Sequence, residues 1–238
     1  MKIALIGYGK MGKAIEEIAL QKGYAIVAKI DQENVHELSA FSKENCDVAI
    51  EFTNPDSAKE NIISLLKQGI PVVSGSTGWV GDLEAVKTFC KSVNGSFIYA
   101  SNYSVGVNLF FALNEKLATL MQDQPTYKAS LKEVHHTAKK DAPSGTAITL
   151  AEQIIAIDSG YDSWNNEISE RQGSLHILSE REDPAPGTHH VKYQSEVDEI
   201  EIIHTAHSRK GFAAGAILAA EYIFDKTGVF NMNQVLGI

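Results

Sequence analysis

The chain has 238 residues, of which 44% are hydrophobic and 21% are charged, and its formal net charge is −9. This composition is typical of a soluble globular protein with one large or two small domains. The acidic balance argues against a nucleic-acid or anionic-membrane partner, because either would need a basic surface. A small anionic substrate stays possible, since one local cluster of positive charge is enough to bind it.

Cysteine usage and the first residues indicate the compartment. Cys46 and Cys90 are far apart and form no CxxC pattern, so we expect no disulfide scaffold. The first apolar run, 3–6, is too short for a signal peptide or a membrane span, and no other run approaches the length of a span. We therefore expect a cytoplasmic protein with no membrane partner.

The first hundred residues alternate short apolar runs with helical patterns. Strands are predicted at 3–6, 24–30, 48–50, 72–73 and 97–100, and helices at 11–19, after Asn54-Pro55 and at 82–91. Apolar strands that alternate with helices indicate a parallel sheet covered on both faces. The sequence thus predicts an α/β protein whose N-terminal domain, residues 1–105, is of the Rossmann type.

The pattern changes after about residue 105. Helices are predicted at 107–121, 145–157 and 212–224, strands at 127–136, 175–178, 189–194 and 200–205, and a polar stretch at 159–166. In the last strand Ile200 and Ile202 alternate with Glu199 and Glu201, which is typical of a half-exposed antiparallel strand. We predict a second α+β domain with a mixed or antiparallel sheet at 106–210. The C-terminal helix within 211–238 is expected to pack back on the first domain, and 102–107 and 208–211 are predicted hinges.

A glycine-rich turn lies between the first predicted strand and helix. The segment Gly7-Tyr8-Gly9-Lys10-Met11-Gly12 matches GxGxxG. The first glycine permits the tight turn, the second lets a pyrophosphate approach the backbone, and the third lets helix and strand pack closely. The amides and dipole of the helix start then favour the negative charge. Gly7, Gly9, Lys10, Met11 and Gly12 are therefore candidate cofactor-binding residues.

Asp31, at the end of the second predicted strand, bears on the choice of cofactor. A carboxylate at this place accepts hydrogen bonds from the adenosine ribose hydroxyls and repels a 2′-phosphate. The next residue is Gln32 and not an arginine that could pair with that phosphate. NADH is favoured over NADPH, although Lys29 nearby leaves NADPH possible.

The segment from Glu133 to Ala147 carries the densest chemistry. It holds His135, His136, Lys139 and Lys140, followed by Ser144, which can cap a helix. Positive side chains and helix N-terminal amides together favour an anion, and imidazoles can transfer a proton near neutral pH. A solvated basic turn is the simpler interpretation of the same residue types.

The chain resembles the 4-hydroxy-tetrahydrodipicolinate reductase family, also called dihydrodipicolinate reductase, over nearly its whole length. The matching motifs are HHxxKxDAPSGTA at 135–147, EFTxP at 51–55, SGSTG at 74–78 and SNYSVGVN at 101–108. The family's enzymes belong to lysine and diaminopimelate biosynthesis and are usually homotetramers built through the second domain. The resemblance implies hydride transfer from NADH or NADPH to a small cyclic dicarboxylate, with loss of water.

The resemblance also implies a role for each matching position. It makes His135 the general acid/base, Lys139 the proton donor, and His136 with the backbone of Gly145 and Thr146 the groups that hold the substrate carboxylates. It places Gly75, Ser76, Thr77, Ala100, Ser101, Asn102 and Tyr103 in the loops that line the nicotinamide. No metal is implied. We assign His189 no role and expect it to be an exposed histidine on a strand.

Three other interpretations stay open. Another two-domain nicotinamide oxidoreductase, such as an amino-acid or sugar dehydrogenase, would share the glycine turn but not the HHxxKxDAPSGTA string. A non-catalytic sensor of NADH would keep Gly7–Gly12 and could lose Lys139. A histidine-based metal hydrolase is disfavoured, because His135 and His136 point to opposite faces of a strand and no third ligand has a recognisable spacing.

Overall fold

The chain folds as two compact units in a computed structural model that describes residues 1–167, 171–208 and 210–238. The first unit is Met1–Val105 with Lys210–Ile238, and the second is Gly106–Arg209. The predicted hinge at 208–211 includes residue 209, which lies outside the described residues. In the part of the chain that the structure describes, no helix combines the length and the apolar character needed to cross a bilayer.

The first unit is built on a six-stranded sheet in which all strand pairs are parallel. Its strands, in spatial order, are β11 (Gly228–Phe230), β5 (Ser96–Tyr99), β4 (Val72–Ser74), β3 (Val48–Glu51), β1 (Lys2–Ile6) and β2 (Ala25–Ile30). Its helices are α1 (Lys10–Gln21), α2 (Pro55–Lys67), α3 (Leu83–Ser92), α6 (Lys210–Ile223) and α7 (Met232–Leu236). The Rossmann-type sheet predicted from the sequence is confirmed.

Burial on both faces explains why the strands are almost wholly apolar. In β1, Ile3 and Leu5 belong to one hydrophobic core, and Ala4 and Ile6 belong to the other. The first core includes side chains of α1 and α6, and the second includes those of α2 and α3. Since successive side chains of a strand point to opposite faces, a sheet between two helical layers needs apolar residues at every position.

The C-terminal segment is more complex than the single helix expected for 211–238. After α6 the chain adds β11 beside β5, with Gly228 opposite Ser96, and ends in α7 behind the capping box of Asn231 and Gln234. A strand of three residues is too short to show a periodic pattern, so β11 is not among the predicted strands. The helix α6 packs tightly in the first unit, because a Cβ added at Gly215 would lie 1.7 Å from the carbonyl oxygen of Tyr103.

The second unit has a mixed five-stranded sheet, as the sequence predicts. The order is β10 (Glu199–Thr205), β9 (Thr188–Gln194), β6 (Lys128–His135), β8 (Ser174–Arg181) and β7 (Ser163–Asn165). The pairs β6–β8 and β7–β8 are parallel, and β6–β9 and β9–β10 are antiparallel. The helices α4 (Val105–Met121) and α5 (Gly145–Ile157) supply apolar side chains to its core.

Two details of this sheet differ from the expectation. The polar stretch 159–166 contains the short strand β7, whose residues are all only partly buried. In the edge strand β10, Ile202 packs against the core, but Ile200 is 42% exposed and Ile203 is 54% exposed. The alternation therefore predicts the strand and its antiparallel pairing correctly. It does not predict that Ile200, which lies near the strand's end, is exposed while Ile202 packs against the core.

Candidate active site

The glycine turn of the first unit has the geometry that its sequence predicts. Gly7 has a φ of +94°, and a Cβ there would lie 2.0 Å from the carbonyl oxygen of Phe52. A Cβ at Gly12 would lie 2.5 Å from the carbonyl oxygen of Gly7, whereas one at Gly9 would meet nothing within 4 Å. Gly7 and Gly12 are thus required by close backbone packing, and Gly9 leaves open space where a ligand can approach the start of α1.

The turn opens on a cavity of about 480 Å³. Its lining includes Gly7 of the turn, Asp31 and Gln32 after β2, and Thr53 and Asn54 after β3. Asp31 is exposed, and its carboxylate accepts a hydrogen bond from the amide of Glu33 at 2.9 Å. The cavity therefore links the first glycine of the turn to the Asp31 carboxylate, and a glycine turn and a carboxylate are the two features that bind a dinucleotide's pyrophosphate and ribose.

The other predicted cofactor residues differ in what they expose. Lys10 is exposed and Met11 packs partly against the core; Thr77 and Ser101 are exposed, and Gly75, Ala100 and Asn102 are partly buried. The side chains of Ser76 and Tyr103 are buried and turned inward. Ser76 donates to Glu51 at 2.6 Å, and the Tyr103 hydroxyl donates to the carbonyl oxygen of Ser74 at 2.8 Å. These two positions can offer a ligand only their main chain.

In the second unit, a buried carboxylate holds the predicted catalytic segment. Glu133 lies on β6 two residues before His135, on the same face, and it is 0% exposed. Its two oxygens each lie 3.1 Å from the amide of Ser144, and Ser179 donates to it at 2.8 Å. The Nδ1 atom of His135 lies 3.5 Å from the carboxylate. Glu133 thus joins the end of β6 to β8 and to the start of α5.

His189 corrects the expectation of an exposed strand histidine. It is 5% exposed, because β9 pairs with β6 so that His189 lies opposite Glu133. Its ring lies 5.1 Å from that of His135, and its Nε2 atom lies 3.2 Å from the Ser144 hydroxyl. The signal in the sequence is the alternation of His189 with Val191 and Tyr193, all of which are buried.

Burial sets the protonation of this cluster. Burial lowers the pKa of His135, and the Glu133 charge opposes that effect only in part. Burial and the neighbouring His135 lower the pKa of His189 to about 3. Burial alone would raise the pKa of Glu133, but hydrogen bonds from Ser144 and Ser179 outweigh it, so its pKa lies below the ordinary value. At neutral pH the cluster holds one carboxylate and two neutral imidazoles.

The loop after β6 places the predicted cations. The Lys139 ammonium donates to both carboxylate oxygens of Asp141 at 2.8 Å, while His136 is partly exposed just beyond the strand. Arg181, which the sequence analysis missed, donates to the carbonyl oxygens of Lys139 at 3.3 Å and Asp141 at 2.5 Å. It lies opposite His135 in the β6–β8 register, a pairing that no local pattern reveals.

The start of α5 has the capped geometry expected of Ser144. The Ser144 hydroxyl accepts a hydrogen bond from the amide of Ala147 at 3.3 Å. A Cβ at Gly145 would meet nothing within 4 Å, so there is room for a ligand beside Gly145, the first residue of α5. An anion held there would gain from the positive end of the helix.

The same cluster brings together three side chains that could each offer one ligand atom to a metal ion. The sequence spacing shows no third ligand beside the two adjacent histidines. Ligand atoms of Glu133, His135 and His189 all lie within 4.8 Å of one another. Strand pairing, and not sequence spacing, brings the third ligand to the site. The Glu133 oxygens and the His189 Nε2 atom already have hydrogen-bonding partners in Ser144 and Ser179, so a metal would have to displace these contacts.

The buried imidazoles predict how stability depends on pH. In the unfolded chain a histidine titrates near pH 6.5, so below that pH the unfolded state binds more protons than the folded state does. The free energy of unfolding should therefore fall as the pH falls. For His189→Asn, the fall should be less steep by up to about 1.4 kcal/mol per pH unit. Urea unfolding between about pH 7 and about pH 5 measures this slope.

His190→Asn is the matched control. His190 points to the opposite face of β9 from His189, and its Nδ1 atom lies 3.0 Å from the Glu201 carboxylate. Equal slopes for the wild type and His189→Asn would contradict the burial of a neutral His189.

Comparison with known proteins identifies the family of the chain. Residues 1–103 match the family described as dihydrodipicolinate reductase, N-terminus, and residues 106–236 match its C-terminus. A 4-hydroxy-tetrahydrodipicolinate reductase of Christiangramia forsetii is 50% identical over 237 residues, which cover 99% of this chain and 98% of that protein. One of Rickettsia bellii is 35% identical over 231 residues, which cover 94% and 89% of the two chains.

Solved structures show the same fold. A dipicolinate-bound dihydrodipicolinate reductase from Paenisporosarcina sp. TG-14 aligns with a TM-score of 0.75 at 21% identity over 97% of each chain. An amine dehydrogenase from Mycobacterium smegmatis aligns with a TM-score of 0.61 at 10% identity, over 97% of this chain and 94% of that one. Since both halves match their family and a relative is half identical from end to end, the chain belongs to the dihydrodipicolinate reductase family.

Proposed function

We propose that this chain reduces 4-hydroxy-tetrahydrodipicolinate to tetrahydrodipicolinate, with loss of water, in lysine and diaminopimelate biosynthesis. The observation that carries the proposal is the cluster of Glu133, His135 and Lys139 beside the open start of α5. It combines an imidazole, a cation and helix amides, as an anionic substrate that must be protonated requires. The Christiangramia forsetii and Rickettsia bellii reductases, which carry this name, support the assignment.

The first unit fits a nicotinamide dinucleotide, which would supply the hydride when bound. The turn Gly7–Gly12 and the start of α1 would hold the pyrophosphate, and Asp31 would bind the adenosine ribose. The loops at 75–77 and 100–103 follow the carboxyl ends of β4 and β5, where ligands bind in open parallel sheets. We place the nicotinamide against these loops.

We further propose a preference for NADH. Asp31 is exposed in the cavity wall, where its charge would repel a 2′-phosphate. The nearby Lys29 could have paired with that phosphate, but its ammonium bonds to Glu16 at 2.6 Å and lies 4.8 Å from the centre of the Tyr8 ring. Lys29 is therefore already neutralised by a neighbour.

In the second unit, the start of α5 would hold a substrate carboxylate through the amides of Gly145 and Thr146, with His136 and Lys139 adding charge. The dipicolinate bound to the Paenisporosarcina protein is a flat dicarboxylate of the size that this site would take. To reach the substrate, the Lys139 ammonium would exchange its contact with Asp141 for one with the ligand.

Proton delivery follows from the electrostatics of His135. In the free protein its pKa is lowered by burial, so the imidazole is neutral at neutral pH. Two substrate carboxylates nearby favour the imidazolium and raise that pKa. The Glu133 carboxylate lies 3.5 Å from Nδ1 of the ring, where its charge favours the imidazolium. Substrate binding would therefore load the acid that the reaction then uses, with Lys139 as a second donor.

We extend the proposal to a cytoplasmic homotetramer built through the second unit. Its sheet exposes apolar side chains, with Leu178 at 41%, Ile200 at 42% and Ile203 at 54%. Exposed apolar residues of a sheet are suited to burial against another copy of the chain. Cys46 and Cys90 are both buried and free, which suits a reducing compartment.

Loss of the proton donors should abolish most turnover. His135→Gln and Lys139→Ala should each lower kcat by about 10²- to 10⁴-fold, because each removes a group that transfers a proton or holds its charge. The assay follows NADH oxidation by its near-ultraviolet absorbance, with the condensation product of pyruvate and aspartate semialdehyde made in situ by its synthase. His190→Gln, which removes an imidazole on the other face of β9, should keep full activity.

If the wild type binds NADH but oxidises neither NADH nor NADPH in this assay, the reductase assignment is refuted. A sensor of NADH would then become the better interpretation.

Neutralising Asp31 should shift the choice of cofactor. Asp31→Ser should raise kcat/KM for NADPH relative to NADH by about 10-fold or more, because the repulsion of the 2′-phosphate is removed together with a ribose contact. Steady-state kinetics with both cofactors measure the ratio. Glu33→Gln, which removes a neighbouring exposed charge, is the control. A ratio that changes equally in both variants would show that Asp31 acts only through the general negative charge.

A further inference from the structure

A second buried carboxylate lies in the first unit and has no part in the chemistry above. Glu51 is the last residue of β3 and is 0% exposed. Within the described residues no lysine, arginine or histidine forms an ion pair with it. Burying a carboxylate is costly unless hydrogen bonds replace its water. A purely structural turn would not need a group of this kind.

Hydroxyl and amide donors replace the water around Glu51. Its Oε1 atom accepts from the Thr53 amide at 3.0 Å, the Thr53 hydroxyl at 2.5 Å and the Ser76 hydroxyl at 2.6 Å. Its Oε2 atom accepts from the Ser74 hydroxyl at 2.6 Å. The carboxylate therefore ties the loop after β3 to the end of β4 and to the loop that follows it.

These contacts fix one loop at several atoms. The main-chain carbonyl of Glu51 accepts from the Gly75 amide at 2.9 Å, and the carbonyl of Ser76 accepts from the Trp79 indole at 2.8 Å. The Phe52 ring leaves no room for a side chain at Gly75, since a Cβ there would lie 2.2 Å from it. The Gly75 amide and the Ser76 hydroxyl and carbonyl are therefore all held, which fixes the backbone of this loop on both sides of the Gly75–Ser76 pair.

We propose that Glu51 is a positioning residue that orients the peptides of Gly75 and Ser76 toward the nicotinamide half of the cofactor. The inference rests on the proposed function, which places the nicotinamide against this loop. The donors around Glu51 are divided between its two oxygens, and only a carboxylate has an acceptor oxygen at both positions. A glutamine of the same shape turns an NH₂ group toward a hydroxyl donor and breaks at least one of the contacts.

Direct binding separates this role from a general effect on folding. We would titrate the full chain and Glu51→Gln with NADH and with ADP-ribose, which lacks the nicotinamide, by calorimetry. Glu51→Gln should weaken NADH binding by about 10-fold or more and change ADP-ribose binding by less than about 2-fold. Ser76→Ala should shift NADH affinity in the same direction. Adding it to Glu51→Gln should cost little more, because both changes break one network.

The matched control is Ser96→Ala. Ser96 is buried at the amino end of β5 and donates to the carbonyl oxygen of Ile223 at 3.1 Å. Its loss should lower the melting temperature without changing either affinity. Unchanged NADH affinity in Glu51→Gln, or equal losses for NADH and ADP-ribose, would overturn the proposal. If Glu51→Gln does not fold, Ser76→Ala alone decides by the same comparison of ligands.

The outcome is distinct from that of the proposed function. A wild type that binds NADH tightly but does not reduce the dicarboxylate would refute the reductase chemistry. The effect of Glu51→Gln on NADH binding would still test the positioning role of Glu51. A wild type that binds neither NADH nor ADP-ribose would overturn both.

Discussion

In the second unit, the catalytic candidates depend on one fully buried carboxylate. Glu133 accepts hydrogen bonds from the Ser144 amide at the start of α5 and from the Ser179 hydroxyl on β8, and its carboxylate lies 3.5 Å from Nδ1 of His135 on its own strand. One carboxylate thus holds β6, the start of α5 and β8 together. The hydrogen bonds from Ser144 and Ser179 keep the carboxylate ionised, and its charge opposes part of the fall that burial causes in the pKa of His135.

The first unit uses the same physical device at a different task. Glu51 also lies at the carboxyl end of a strand, is fully buried and is satisfied by hydroxyl and amide donors. There it sets the orientation of loops, whereas the charge of Glu133 offsets part of the effect of burial on the pKa of His135. In both units the cost of burying a charge is offset by several hydrogen bonds that also fix backbone positions. Removing either carboxylate would leave the donors around it unpaired as well.

Local patterns predict most elements of this fold, because each one repeats a period or carries a cap. The strand-to-helix turn at Gly7–Gly12, the cap of α2 at Asn54 and that of α5 at Ser144 are examples. The short strands β7 and β11 were missed, since three residues hold no period and form only against a neighbouring strand.

The site was predictable where motifs carry it and not where strand register does. His135, Lys139 and the α5 start lie in one contiguous segment, which the family resemblance identifies. His189 and Arg181 reach the same place only through the pairing of β6 with β9 and β8. The register of a sheet is a long-range property, and nothing within a few residues of either side chain specifies it. For the same reason Ser76 could be placed in a cofactor loop without any sign that its side chain turns inward to Glu51.

On this mechanism, a dicarboxylate raises the pKa of a buried His135 that is neutral in the free protein. An NMR titration of the histidine ring signals measures this directly, with His135 assigned by its absence in His135→Gln and dipicolinate as the ligand. We expect a pKa below the ordinary histidine value of about 6.5 in the free protein and a rise at saturation with dipicolinate. A His135 already protonated at neutral pH without ligand, or a pKa that dipicolinate leaves unchanged, would contradict the mechanism.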